Sequence, residues 1–491
     1  MPNESSAAAQ DRMRETLDSC PVRPRHYGLW LLAAGGTLLD GMSLASLAIA
    51  LPLIKQTYSM SPLMIGAVSA GSVVGMAVGA LAGGWTSDHI GRRHLFLMSM
   101  ALIGVASLGS AIAWAPMIIL ISQFLIGCGQ GSEFPNSSAY VSEIMPSSVR
   151  NRMLVATITA QSVGMLVAVS LGYLLLQAFP HVDTWRYFMG SRAAVATLFF
   201  VVRYFSMPES PIWLMSRGRN SEAAAGLISL APDRGQELTK LGSEAGDLHF
   251  SSDEHPVGSS TDLSVLFTRR YLRRTFVAAG AWMLMDISTY GVGHFSPSVL
   301  ATLFSGEKGG GTIAAEFGSI RGSFVLDGFL LLGFLLGMWL VPRFGEIKMQ
   351  SIGFLGMVVG MAILVVAVGS AGGSTSNIVL VIVGFCVFNL MMNMGPNSTT
   401  FGLPALFFPS EIRATAAGFS AACAKTGATL GTLFLPMIGK SIGLGSTLAL
   451  LAGISGLGFL ITAVLGTGLL GSPATHSDDT PKSIESIETP G

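Results

Sequence analysis

Five ionisable residues stand inside long apolar stretches of this 491-residue chain: Asp40, Glu133, Asp286, Asp327 and Lys425. A charge in the middle of a membrane helix costs ~3 kcal/mol on insertion scales, so each is expected to face a partner or a water-filled cavity. Their types suggest two kinds of chemistry. A lysine in a low-dielectric cavity attracts an anion, and carboxylates desolvated between helices can load and release protons. The neighbouring residues sharpen this reading. Trp282, Asp286 and Tyr290 are spaced by four, which puts an indole donor, an acid and a phenol on one helical stripe. Asn389 and Asn393 share a face just before Gly395-Pro396, where proline breaks the helical hydrogen-bond ladder and frees backbone groups. Lys425 lies in a run of small and apolar residues, 420–428, more than two turns from its helix start and too deep to reach the headgroups by extending its stem.

The elements that must hold these residues follow from composition. Only 11% of residues are charged and 50% are hydrophobic, too little charge to cover a water-soluble globule of this size. The apolar excess must face lipid, which excludes a cytosolic enzyme, a nucleic-acid binder and a secreted disulfide scaffold. The net charge is zero, so no global field gathers polyanions. Apolar stretches long enough to cross the hydrocarbon recur at 28–54, 63–85, 95–113, 116–140, 153–178 and 187–206. Six more follow at 273–300, 320–342, 349–370, 377–406, 414–439 and 444–470. These twelve transmembrane helices predict an all-α membrane protein of two six-helix bundles, 28–206 and 273–470. A polar central loop, 207–272, joins the bundles, and polar tails occupy 1–27 and 471–491.

Positive charge is biased to one side of these spans. Arg92, Arg93, Arg150, Arg152, the central-loop arginines, Arg343, Lys348 and Arg413 alternate with charge-poor loops whose positive residues are chiefly Lys55, Arg186, Lys308 and Lys440. The positive-inside bias predicts both termini and the central loop in the cytoplasm, with the spans in the plasma membrane. The first 27 residues lack the apolar core and small-residue cleavage site of a signal peptide. Cys20, Cys128, Cys386 and Cys423 are isolated and are assigned to packing. The halves also echo each other: Ala33-Ala34-Gly35 leads to Asp40 as Ala278-Ala279-Gly280 leads to Asp286, and Pro135-Asn136-Ser137 answers Pro396-Asn397-Ser398. Repeated halves mark carriers in which one bundle rocks against the other around a midplane site.

Between spans 2 and 3, Gly84-Trp85-Thr86-Ser87-Asp88-His89-Ile90-Gly91-Arg92-Arg93 resembles the loop signature of the major facilitator superfamily. A carboxylate beside a tight glycine turn and two guanidinium groups can close a charge network between helix ends that breaks when a gate opens. The matching second-half segment, Val341-Pro342-Arg343-Phe344-Gly345-Glu346, has Pro342 in place of the acid. Met207-Pro208-Glu209-Ser210-Pro211 resembles the signature of the sugar-porter branch, with Ile212 where a basic residue is usual. Glu143, Pro146 and Arg150 after span 4 also match that branch; their counterparts after span 10 are Leu406, Pro409 and Arg413. The resemblance covers nearly all the chain. It implies the twelve-helix fold, with Asp88, Arg92, Arg93, Glu143, Arg150 and Arg413 as gating residues.

Within the superfamily the chain resembles the phosphate:proton symporters. Asn393-Met394-Gly395-Pro396-Asn397-Ser398-Thr399-Thr400-Phe401, Arg413-Ala414-Thr415 and residues 420–425 carry the likeness, together with residues 282–290 and Gln161. The resemblance implies that Gln161, Trp282, Asp286, Tyr290, Asn393 and Lys425 contact substrate; Asp40, Glu133 and Asp286 are the expected proton carriers. Glu133-Phe134-Pro135 departs from that family's Asp-Tyr-Pro, keeping the carboxylate and losing a phenol, and Ser43 stands where a second acid is usual. The expected function is a symporter importing a small oxyanion, inorganic phosphate first, with protons by alternating access. It is expected to act as a monomer in the bilayer, without cofactor, metal or nucleic acid. Two alternatives stand beside it: a proton-linked carrier of an organic acid, sugar or other polar metabolite, and a non-transporting membrane receptor. No nucleotide loop, metal-ligand cluster or nucleophile triad points to an enzyme.

Overall fold

A computed structural model describes residues 4–247, 263–304, 312–369 and 378–469. No strand occurs among the described residues, and 11 of their helices are long and apolar enough to cross a membrane. After α1 (Glu4–Ser19), the first half is built from α2 (Pro24–Tyr58), α3 (Pro62–Ile90), α4 (Arg92–Ala111), α5 (Pro116–Ile144), α6 (Arg150–Ala178) and α7 (Trp185–Ser206). Three short helices follow: α8 (Pro211–Ser216), α9 (Asn220–Leu230) and α10 (Gly235–Ala245). In the second half, α11 (Leu272–Thr275) passes through a π turn, Phe276–Gly280, into α12 (Ala281–Phe304), and together they make the seventh span. The remaining spans are α13 (Thr312–Phe344), α14 (Glu346–Gly369), α15 (Ile378–Met394) with α16 (Pro396–Thr400) and α17 (Leu403–Phe407), α18 (Arg413–Ile442) and α19 (Leu444–Leu460). This is the twelve-helix, two-bundle membrane fold expected from the hydropathy pattern. Large apolar side chains such as Leu63, Val105, Trp114 and Phe205 stand 70% to 84% exposed, a surface that only lipid can cover.

Two features add to the span pattern. The tenth span is broken at Gly395, where the Gly395-Pro396 pair is expected to interrupt the ladder, because Pro396 has no N–H to give and Gly395 adopts φ −108° and ψ −97°. Side chains take up part of the interrupted ladder: Ser398 Oγ donates to the Asn393 carbonyl at 2.5 Å, and Thr399 Oγ1 to that of Gly395 at 3.0 Å. The polar N-terminal tail contains a helix, since Ala9, Met13 and Leu17 form a buried stripe on α1 that needs a partner surface. That surface is α9 and α10, through Leu227, Leu230, Leu238 and Leu241. The tail expected at 471–491 and Lys308 lie outside the described residues, as do residues 248–262 of the central loop.

The turn from α3 into α4 rests on Gly91. Its φ of +99° lies where a side chain is strained, and a Cβ there would come within 2.4 Å of Glu209 Oε2. That closeness lets Glu209 accept from the backbone N–H groups of Arg92 at 2.8 Å and Arg93 at 3.2 Å, satisfying donors that a helix start leaves open. Burial pushes the Glu209 carboxyl up from its ordinary value, and the backbone donors of Ser210, Arg92 and Arg93 with the Arg92 charge offset part of that rise.

Candidate functional site

A cavity of about 550 Å³ lies between the two halves. Gln161 lines it from the first half, and Trp282, Asp286, Tyr290, Asn393 and Lys425 from the second, so it gathers all six residues expected to touch substrate. Lys425 Nζ of α18 lies 3.1 Å from Asp286 Oδ2 of α12, both side chains buried. The ammonium also sits 5.4 Å from the ring centroids of Tyr290 and of Phe134. Phe134 belongs to α5, and its ring meets Trp282 edge-on at 6.4 Å and Phe401 at 6.3 Å. An aromatic face of one half therefore leans on the cation of the other, a desolvated cation–π contact.

Asp40 stands one residue behind this wall. Gln161 Nε2 donates to its Oδ2 at 2.6 Å, while its Oδ1 is buried without a partner. The pair meets because α2 and α6 cross backbone to backbone: a Cβ at Gly41 would lie 1.8 Å from the Gln161 carbonyl oxygen, and one at Gly164 1.9 Å from that of Leu38. On the opposite wall, Asn389, Asn393 and Asn397 form a ladder at helical spacing. Asn397 Nδ2 donates to Asn393 Oδ1 and Asn393 Nδ2 to the Asn389 carbonyl, each at 2.8 Å. Asp327 of α13 also lines the cavity, and its buried Oδ2 lacks a partner. Sequence reading flagged its intramembrane charge but gave it no place in the site, for want of a neighbouring motif.

Glu133, expected as a proton carrier, lies elsewhere. Its Oε1 accepts from Arg203 Nη1 at 2.8 Å and its Oε2 from Arg203 Nη2 at 2.9 Å, with Ser99 as a further donor. Arg203 also donates to the Leu32 carbonyl from Nε at 3.0 Å, and to that of Phe96 from Nη1 at 3.1 Å. This buried knot joins α2, α4, α5 and α7. Adjacent helix positions point about 100° apart, so Phe134 reaches the cavity while Glu133 turns into its own bundle.

The face formed by the loops and short helices is shut. Arg92 Nη1 donates to Asp88 Oδ1 at 2.7 Å, and its Nη2 to Glu143 Oε1 at 2.9 Å, all three side chains buried. The network crosses to the second half at three points, the first being Arg92 Nη2, which also donates to the Ser410 carbonyl at 3.4 Å. Arg413 Nη1 donates to Glu143 Oε1 at 3.3 Å, and Thr415 at the start of α18 contacts Asp88. Helices α3 and α18 touch there without side chains between them: a Cβ at Gly84 would lie 2.4 Å from the Ala414 carbonyl oxygen, and one at Gly418 2.4 Å from that of Ala80. The cavity lining extends away from this face, toward Leu47, Leu51 and Thr432.

Of the six residues expected to gate, Asp88, Arg92, Glu143 and Arg413 are brought together. Arg93 and Arg150 are not. Arg93 Nη2 donates to the Tyr204 carbonyl at 2.9 Å, and Arg150 pairs with Asp18 of α1, so both brace loops within the first half. Sequence reading missed Thr415 as a partner, and also Trp213 and Arg217, whose side chains donate to the Asp88 carbonyl at 2.9 Å and 2.6 Å. At the matching place in the second half, where Pro342 replaces the acid, Asn151 Nδ2 donates to Glu346 Oε1 at 2.5 Å. An amide–carboxylate contact stands there in place of an ion network.

Comparison with known proteins agrees with this architecture. The sequence profile described as "Sugar (and other) transporter" matches residues 37–473. The chain is 28% identical over 446 residues to the inner membrane metabolite transport protein YgcS of Escherichia coli K12, covering 91% of this chain and 92% of that one. It is 25% identical over 503 residues to a probable inorganic phosphate transporter, 1-6, of Arabidopsis thaliana, covering 92% and 93%. Among solved structures, the proton:xylose symporter XylE bound to 6-bromo-6-deoxy-D-glucose shares the fold at a TM-score of 0.72 and 21% identity, over 89% of this chain and 95% of that chain. The profile match over residues 37–473 shows that the chain belongs to the sugar (and other) transporter family, as a multi-pass major facilitator transporter and not an enzyme.

Proposed function

We propose that this transporter is a proton-coupled symporter that imports a small oxyanion, inorganic phosphate, across the plasma membrane, with both termini in the cytoplasm. The observation that carries the proposal is the Lys425–Asp286 pair, 3.1 Å apart, in the wall of the cavity. Lys425 supplies the charge that draws an anion into a low-dielectric space. An ionised Asp286 repels that anion unless the ligand brings hydrogens to donate. Dihydrogen phosphate brings them and sulfate at neutral pH does not, so the acid selects by repulsion. Moving an anion into a negative interior costs ~2.3 kcal/mol per charge per 100 mV, so more than one proton must accompany each monovalent phosphate for the voltage to help. Asp286, Asp40 and Asp327 are the carboxylates available for this task; Glu133 is left out because Arg203 holds it. The Asp88–Arg92–Glu143–Arg413 network serves as the cytoplasmic gate.

A second reading, a proton-linked carrier of an organic acid, is favoured by the cavity itself. Its size and its apolar wall of Leu44, Leu47, Met165 and Phe334 suit a ligand with a carbon skeleton. Uptake of labelled phosphate, organic acids and sugars by proteoliposomes decides between them. Concentrative phosphate uptake that collapses with a protonophore and survives sodium removal is the expected result. Concentrative uptake of an organic acid with phosphate excluded selects the second reading, and accumulation without any proton gradient overturns both.

A further inference from the structure

We propose that the first half binds a single halide ion, chloride, beside Arg192 between α4, α5 and α7. Arg192 is fully buried in α7, and among the described residues no carboxylate pairs with it. Its Nε and Nη1 have no hydrogen-bond partner. Its Nη2 is pressed against the Met189 sulfur, and Gln123 Nε2 of α5 donates to the same sulfur at 3.7 Å. A thioether is a weak acceptor, so the convergence of a guanidinium and an amide on one sulfur marks a place with more donors than acceptors. The guanidinium cannot escape by losing its proton, so its charge calls for a counter-charge.

Helix register brings further donors to the same layer. A Cβ at Gly190 would lie 3.8 Å from the Ala111 Cβ, and one at Gly104 3.7 Å from the Ala196 Cβ, which fixes α4 and α7 as antiparallel neighbours. That register sets Arg192 level with the turn of α4 carrying Ser107 and Ser110. Both serine hydroxyls are buried without a partner. A Cβ at Gly109 would lie 3.2 Å from Ser122 Oγ, so the Gln123 end of α5 belongs to this layer too. One buried layer thus holds a cation, two free N–H-bearing nitrogens and two hydroxyls, with no anion among the described residues. A single guanidinium edge and two hydroxyls between closely packed helices make a small donor set, which suits a monatomic halide better than a tetrahedral oxyanion with four oxygens to satisfy. Gln123 also lines the central cavity, so the ion would sit behind the transport route and fix its wall. The inference is independent of the substrate reading.

The test is thermal unfolding of the purified full chain in detergent, with chloride replacing gluconate at constant ionic strength. The wild type is expected to gain several degrees saturably, with bromide able to substitute. Arg192→Met should lose this dependence and, without halide, be at least as stable as the wild type, because the uncompensated charge is gone. The double variant Ser107→Ala, Ser110→Ala keeps the charge and should need at least ~10-fold more chloride for the same gain, the loss of about 1.4 kcal/mol of binding. A wild type equally stable in gluconate and chloride overturns the proposal, as does an equal chloride response in Arg192→Met.

Discussion

The carboxylate of Asp88, in the last turn of α3, accepts both the amide and the hydroxyl hydrogen of Thr415, each at 2.7 Å, and so caps the first turn of a helix in the opposite half. The same carboxylate pairs with Arg92 through its other oxygen. One acid therefore closes its own turn and fastens the two halves together. An N-terminal cap contributes ~1 kcal/mol and the helix dipole up to a similar amount, small against the fold but large against a balance between two conformations.

Asp88→Asn keeps an acceptor for Thr415 and removes the charge that Arg92 answers. A loss of 1–2 kcal/mol from the shut state corresponds to a ~5- to 30-fold shift in the ratio of shut to open. Transport rate is expected to change by that order, while equilibrium substrate affinity, set at the distant cavity, moves much less. Parallel uptake and calorimetric binding measurements check this, and a variant with unaltered turnover reduces Asp88 to a loop residue.

Lys425→Ala should abolish oxyanion binding, but it also strands Asp286, and breaking a buried pair costs ~3–5 kcal/mol. The double variant Lys425→Ala, Asp286→Ala removes both charges, so it should recover stability and remain unable to bind. Asp286→Asn is expected to lose concentrative uptake and to discriminate less well against sulfate. Normal substrate binding by a folded protein lacking Lys425 would make a neutral solute the better assignment.

Glu133→Gln leaves Arg203 buried without its counter-charge, with an expected loss of ~3–5 kcal/mol in stability. Protein that still folds should couple transport to protons as before. Asp327→Asn should do the reverse, changing uptake with little effect on unfolding, because the unpartnered Asp327 oxygen makes no bond to lose. Thermal unfolding set beside proton-driven uptake separates the two, and wild-type stability with lost coupling in Glu133→Gln would restore it as a carrier.

The spans were legible because hydrocarbon imposes one length and one polarity on every helix that crosses it. Part of the cavity was legible for a related reason: a charge in lipid has few acceptable positions, so Asp286 and Lys425 announced themselves, Trp282 and Tyr290 followed by helical spacing and Asn393 by its place before the Gly395-Pro396 break, whereas Gln161 rested on the family resemblance alone. Pairing was harder. Arg203 and Glu133 are 70 positions apart, and their meeting depends on how α5 and α7 are rotated against each other, which periodicity in a nearly all-apolar helix does not encode. Arg93 and Arg150 carry the same charge as Arg92 in the same signature loops, yet only packing decides which guanidinium is drawn inward. The stripe of Ala9, Met13 and Leu17 on α1 was too short to be read without the ledge of α9 and α10 that it covers.

The Lys425–Asp286 pair also bears on what a membrane voltage can act upon. With both groups ionised the pair has no net charge, so when the empty carrier turns back it moves nothing at that point through the field. Each uncompensated charge carried by the loaded form feels ~2.3 kcal/mol per 100 mV. Under the proposed proton symport, voltage would act on the inward stroke through its cargo, and the homeward stroke is electrically silent at this pair.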